Sequence, residues 1–299
     1  MRSSHYTFER LGEHATFARA RAEGGALSNS AVLDLGGETL VFDTSLTLLA
    51  ASDLQQLAVE TTGRAASLAV NSHWHLDHVL GNQVFSGVPT FGTRRTREIP
   101  REQRHALLAD IAPEPLRRRV EELEKMVRGA APAAGRAYLQ SVLDANQWLL
   151  SAAPTLRLTP PNRTFDGRFR LAGDRRAELV TFGSGHTESD AVLHLPEDGL
   201  LLAGDLVVVA THPNLTSGDP VHWLQVLDEM ERLRPERIIP GHGPLGTGDA
   251  ISSVRDYLST LLLIAGQPGR PPIPARFADW SMADQFEANV RFLRGGPPT

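Results

Sequence analysis

The sequence contains no cysteine. That absence excludes disulfides, thiolate zinc knuckles, iron–sulfur clusters and cysteine nucleophiles, so any bound metal must be held by nitrogen and oxygen. Lysine is nearly missing as well: Lys125 is the single example, and arginine supplies the remaining positive charge. The formal net charge of −5 argues against a surface built to grip nucleic-acid backbones. No run approaches the ~18 apolar residues of a membrane span. The start of the chain, Met1 to Arg10, has no apolar segment of the export type. A soluble cytoplasmic protein acting on a small molecule, without nucleic-acid or membrane partners, is the expectation, with a homodimer left open.

Histidine is present, and it is concentrated. Of eleven histidines in 299 residues, His73, His75 and His78 fall within six consecutive positions, with Asp77 among them. A chance match to His-x-His-x-Asp-His in such a chain is on the order of one in a thousand. Further candidates recur downstream: His186 in Gly183-Ser-Gly-His-Thr187, Asp205 in Ala203-Gly-Asp205, and His242 in Pro240-Gly-His-Gly243.

The chain around these residues reads as two β-rich stretches separated by a charged helical one. Residues 31–35 and 39–42 flank Gly36-Gly37 as a hairpin, 54–62 reads as a helix, and 67–70 and 88–91 as short strands. Apolar residues at helical spacing over 101–108, 114–128 and 133–150, with Pro113, Pro115 and Pro132 as breaks, mark an insertion over about 95–155. The run Arg117 to Lys125 is expected to be a solvated helix face. Strands return at 177–182, 191–195, 200–203 and 237–239, with 165–171 as a hairpin and 221–233 as an amphipathic helix. Helices are expected over 250–265 and 282–293, so that the C-terminal part, about 248–295, is helical. Each candidate ligand then follows the carboxyl end of a strand, where open α/β folds place ligands.

Neutral imidazoles and carboxylates bind zinc above all, with iron and manganese admissible. Seven candidates exceed one tetrahedral shell and suit two ions that activate a shared water. At this point the sequence resembles the metallo-β-lactamase superfamily. His73-Trp-His-Leu-Asp-His78, Gly185-His186-Thr187, Gly204-Asp205 and Pro240-Gly-His-Gly243 follow one another as that family's metal motifs do, over residues 25–245. The resemblance implies an α/β fold, a four-layer αβ/βα sandwich, here one domain over 1–299 with the insertion and the C-terminal helices added. It also implies two Zn²⁺, with iron or manganese as substitutes. His73, His75 and His186 would bind one ion, and Asp77, His78 and His242 the other, with Asp205 bridging.

On that resemblance the protein is a hydrolase whose metal-bridged hydroxide cleaves an ester, thioester or lactone. Asp77 and His242 are the candidate catalytic residues, and Asp77 or a metal-held water is the proton carrier. Asp43, in Phe42-Asp43-Thr44, resembles the family's carboxylate that orients a ligating imidazole; a plain hairpin-end role is the alternative. An aspartate at 205 departs from true β-lactamases of this fold. A phosphodiesterase, or an iron-dependent persulfide dioxygenase-like oxidoreductase, is the other reading. Trp74 is expected to pack rather than face substrate. His212 and Asn214 are either residues of the pocket rim or makers of local loop hydrogen bonds. Tyr138 and Trp148 either belong to a lid or pack against the domain or a second copy of it. Arg255, Arg270 and Arg276 are available for a basic site of the glyoxalase II type, without a clear matching motif.

Overall fold

Alternating polar and apolar residues open the chain as a hairpin of β1 (Tyr6–Arg10) and β2 (Ala15–Ala20), antiparallel with Tyr6 opposite Ala20. These two strands precede the first elements that the sequence pattern predicts. The computed structural model describes residues 1–129 and 133–296. Contacts divide the chain into two compact units, Met1–Asp166 with Ala172–Arg175 and Gly167–Leu171 with Arg176–Thr299.

In the first unit the expected Gly36-Gly37 hairpin joins β3 (Ser30–Asp34) to β4 (Thr39–Phe42). Helix α1 (Leu48–Thr62) starts where the Thr47 side chain accepts the Ala50 N–H, and it ends at Gly63 with a φ of 72°. It is longer than expected at its N-terminus. Its face of Ala50, Ala51, Leu54, Leu57 and Ala58 packs on β3 and β4, each leucine contributing roughly 2–3 kcal/mol through burial. There follow β5 (Leu68–Val70), α2 (Leu76–Val79), β6 (Thr90–Thr93), α3 (Arg94–Glu102), α4 (Arg104–Asp110), α5 (Pro113–Gly129), α6 (Ala133–Ala152) and β7 (Arg163–Phe165). Among the described residues these strands form a seven-stranded sheet in chain order, antiparallel up to β4 and parallel from β4 to β7.

The helical stretch expected over about 95–155 is occupied by α3 to α6, between β6 and β7. The helix expected over 101–108 is split, because Gln103 leaves the helical conformation between α3 and α4. Leu107, Leu116, Ala145 and Leu149 from these helices bury against Leu46 and Leu80, with Trp74 and Leu76 packed at the edge. Arg117, Arg118 and Arg119 are exposed, as a solvated face requires. Trp148 packs edge-on against His5 and donates to the Glu23 carbonyl, so its ring is used within this unit. Pro132 and the side chain of Tyr138 lie outside the described residues.

The second unit holds β8 (Arg168–Arg170), β9 (Glu178–Val180), β10 (Val192–Leu195), β11 (Leu200–Val208), α7 (Pro220–Glu231), β12 (Arg237–His242), α8 (Asp249–Ala265) and α9 (Asp284–Leu293). Its sheet runs β12-β11-β10-β9-β8, with only the β11–β12 pair parallel. Residues 165–171 are not the hairpin expected: β7 pairs with β6 and β8 with β9, in different sheets. The local turn signal at Gly167 is real, but the flanking strands find partners elsewhere. The core gathers Trp223, Val226, Leu227 and Met230 of α7 with Ile251, Val254, Tyr257, Leu258 and Leu261 of α8, all at helical spacing.

Candidate metal-ligand sets

Parallel pairing of β4 with β5 puts Phe42 opposite Val70, so the residues leaving both strands emerge side by side. Asp43 thereby meets Ser72. Its Oδ1 accepts the Ser72 N–H at 2.7 Å, and its Oδ2 accepts the Ser72 hydroxyl and His78 Nδ1, each at 2.8 Å. His73 Nδ1 lies 2.9 Å from the same hydroxyl. Asp43 is buried and holds a left-handed φ of 56°, a conformation that aspartate tolerates better than most residues. The hairpin-end alternative is thus set aside, since the carboxylate grips the histidine loop.

That loop is closed from behind. Asn71 Nδ2 donates to the His78 carbonyl, and Asn71 and Asn82 exchange side-chain hydrogen bonds, all of it buried. The Ser28 hydroxyl donates to the Asp77 carbonyl. Residues 72–74 form a bend and His75 stands at the N-terminal cap of α2. His73 and His75 offer ligand atoms within 4.8 Å of each other, while Trp74 goes to the insertion's apolar cluster. Asp77 Oδ2 lies 3.4 Å from His78 Nε2.

In the second unit parallel pairing again makes the approach, with Gly204 opposite Pro240. Strand β11 continues through Asp205 to Val208 rather than ending at Ala203, and its register shifts on either side of Gly204. An irregularity of this kind re-aims a side chain without ending the strand. His242 is likewise the last residue of β12, not a loop residue beyond it. A β-carbon at Gly241 would collide with Asp205 Oδ1, so only glycine leaves room for the carboxylate there.

Asp205 Oδ2 stands 3.4 Å from His186 Nε2 and 3.4 Å from His242 Nε2. His186 Nδ1 donates to the Asn214 carbonyl at 2.9 Å, and its ring lies edge-on to Trp223. Asp190, which sequence reasoning missed, shapes the His186 loop by accepting from the N–H groups of Gly185 and Thr187 and from the Thr187 hydroxyl. Burial pushes its pKa up to about 7, against the pull of those hydrogen bonds and with Asp205 adding to the rise. The Thr187-x-x-Asp190 spacing is the one sequence signal for it.

The spacings fit a shared cation. Ligands ~2.1 Å from a tetrahedral ion stand about 3.4 Å apart, whereas charge-assisted hydrogen bonds close to about 2.8 Å. Where Nδ1 is engaged by protein, at His73, His78 and His186, Nε2 is the nitrogen left to face a metal.

Other expected residues do different work. His212 is fully buried, bonded through Nδ1 to the Tyr257 hydroxyl and ringed by Tyr257, Trp280 and Phe286, so it is a core residue and not part of a rim. Asn214 serves His186 through its backbone. Arg255 pairs with Asp228 and Glu231, Arg270 with Glu287 and Arg276 with Asp256; each is neutralised locally instead of joining a basic site. Among the described residues no helix is long and apolar enough to cross a membrane.

A family model described as the metallo-beta-lactamase superfamily matches residues 24–242. No curated protein matches by sequence. Solved structures do match by shape. A metallo-beta-lactamase from Pontibacter korlensis has a TM-score of 0.60 at 16% identity, covering 85% of this chain and 99% of that one. DIM-1 metallo-beta-lactamase gives 0.60 at 17%, covering 86% and 98%. VMB-1 gives 0.62 at 15%, covering 87% and 99%. At such identities the likeness establishes the fold.

Proposed function

The chain belongs to the metallo-beta-lactamase superfamily, and from that premise we propose that it is a hydrolase holding two divalent ions, zinc first. His73, His75 and His186 would hold one ion, Asp77, His78 and His242 the other, and Asp205 would serve both. The observation that carries this reading is the Asp205 carboxylate, one oxygen of which stands 3.4 Å from the Nε2 of both His186 and His242. When bound, such ions would supply Lewis acidity and lower the pKa of a coordinated water.

The chain's own part is to fix, expose and accept protons. Asp43 and Ser72 hold His78 and His73 in one tautomer. Asp77 and His242, with side chains 15% and 17% exposed, are open to a substrate where His78 and His186, at 0% and 1%, are not. Asp77, or a water at the site, takes the proton. The bond cleaved is an ester, thioester or lactone. Asp205 sets the chain apart from true β-lactamases of the resemblance, and the local pairing of Arg255, Arg270 and Arg276 argues against a glutathione conjugate.

A panel of an aryl ester, a thioester, a lactone, a β-lactam and a phosphodiester on the zinc-loaded protein tests this. Turnover of one of the first three, abolished by a chelator and restored by zinc, is the expected result. Turnover confined to the phosphodiester, or unaffected by the chelator, contradicts it.

A further inference from the structure

Helix α9 lies beyond the stretch matched by the family, yet it carries a fully buried asparagine on its apolar face, between Phe286 and Val290. A buried amide costs stability unless its hydrogen bonds are met, and Asn289 meets them on a single loop and its neighbours. Its Nδ2 donates to the Pro213 carbonyl at 2.7 Å and to the Tyr257 hydroxyl at 3.4 Å. Its Oδ1 accepts the Leu215 N–H and Gln285 Nε2, each at 3.1 Å. Gln285 reaches on to Asn214 Oδ1 at 3.4 Å.

The two backbone groups that Asn289 holds flank Asn214. The Leu215 N–H and the Asn214 carbonyl belong to one planar peptide, so fixing the first aims the second. That carbonyl accepts the proton of His186 Nδ1. We propose that Asn289 is a positioning residue for His186: it clamps the Asn214–Leu215 peptide so that its oxygen holds the proton on Nδ1 and leaves Nε2 to face the metal. The inference rests on the two-ion reading for its metal part, and on the hydrogen bonds alone for its tautomer part. Oriented acceptors of this kind are worth about 10–100-fold in metal affinity.

The test uses the full chain with ¹⁵N-labelled histidine, and compares Asn289→Ala, Asn289→Leu (which keeps volume in the core) and Val290→Ala. Val290 is buried on the same helix in the same apolar cluster but has no polar side-chain atom with which to bond the loop, and serves as the control for lost packing. In metal-free wild type, NMR should show His186 protonated at Nδ1, its signal assigned by loss in His186→Gln. Both Asn289 variants should move that signal toward a mixture of tautomers while His73 and His78 keep theirs. Zinc titration against a chelator should then show one equivalent bound about tenfold more weakly, and Val290→Ala should do neither. Asn289 variants with a wild-type His186 signal and wild-type zinc affinity overturn the proposal, and so does an equal effect from Val290→Ala. Wild type that binds no zinc but still shows the tautomer change in the variants supports the clamp and sinks the two-ion reading.

Discussion

The Ser72 hydroxyl carries one proton, and Asp43 Oδ2, 2.8 Å away, draws it. The hydroxyl oxygen can then only accept from His73 Nδ1, so His73 is protonated there. His78 Nδ1 is protonated as well, since it meets the same carboxylate oxygen, which can only accept. One carboxylate thus sets two imidazoles, and its removal should be felt at the metal. Asp43→Asn keeps the shape and tolerates the left-handed backbone, but it puts an amide N–H against a donor whichever way it turns. Chelator competition should show zinc affinity lowered by about tenfold or more, and an unchanged affinity would remove Asp43 from this role.

The ligand candidates are legible at this scale because His73, His75, Asp77 and His78 crowd into six positions and His186, Asp205 and His242 each adjoin a glycine, and the need for Gly241 is visible in the room it leaves Asp205. Asp190 and Asn289 were not legible. Their importance lies in which backbone groups they reach, and Asn289 reaches a loop far from it in sequence.

Among elements, register does what sequence adjacency cannot. Parallel pairing of β4 with β5 brings Asp43 to Ser72, and parallel pairing of β11 with β12 brings Asp205 to His242. The strands were mostly evident from their apolar runs, as were α5, α7 and α8 from their periodicity. The partition of β7 and β8 between two sheets was not, because a local turn reads the same whether or not its arms pair. Nor was the burial of His212, whose environment comes from α8, α9 and the segment between them.

That burial has a pH consequence. It drives the His212 pKa from 6.5 down to about 4, with the Phe277 backbone and Asp284 pulling weakly upward. Between those values the unfolded chain takes up a proton that the folded chain refuses. The contribution to stability is fully present above pH 6.5 and is lost as pH falls toward about 4, by up to roughly 1.4 kcal/mol per unit. Urea midpoints at pH 7 and pH 5 should therefore fall more steeply for wild type than for His212→Phe. Equal slopes would show that His212 does not set this dependence.

For the molecule as a whole, composition bounds the chemistry before any fold is known. A chain without cysteine has no thiolate to offer a transition metal, which leaves imidazole and carboxylate as the main ligands for a zinc-like ion. The first unit supplies His73, His75, Asp77 and His78, and the second supplies His186, Asp205 and His242. In the proposed reading all seven are assigned to one pair of ions. The most direct check is metal stoichiometry, by elemental analysis of purified protein reconstituted with zinc and freed of excess. The account predicts two equivalents per chain in wild type and in His105→Ala, whose side chain is exposed, and about one fewer in His75→Ala. Wild-type protein that retains no zinc, or a His75→Ala variant that keeps the full complement, would contradict it.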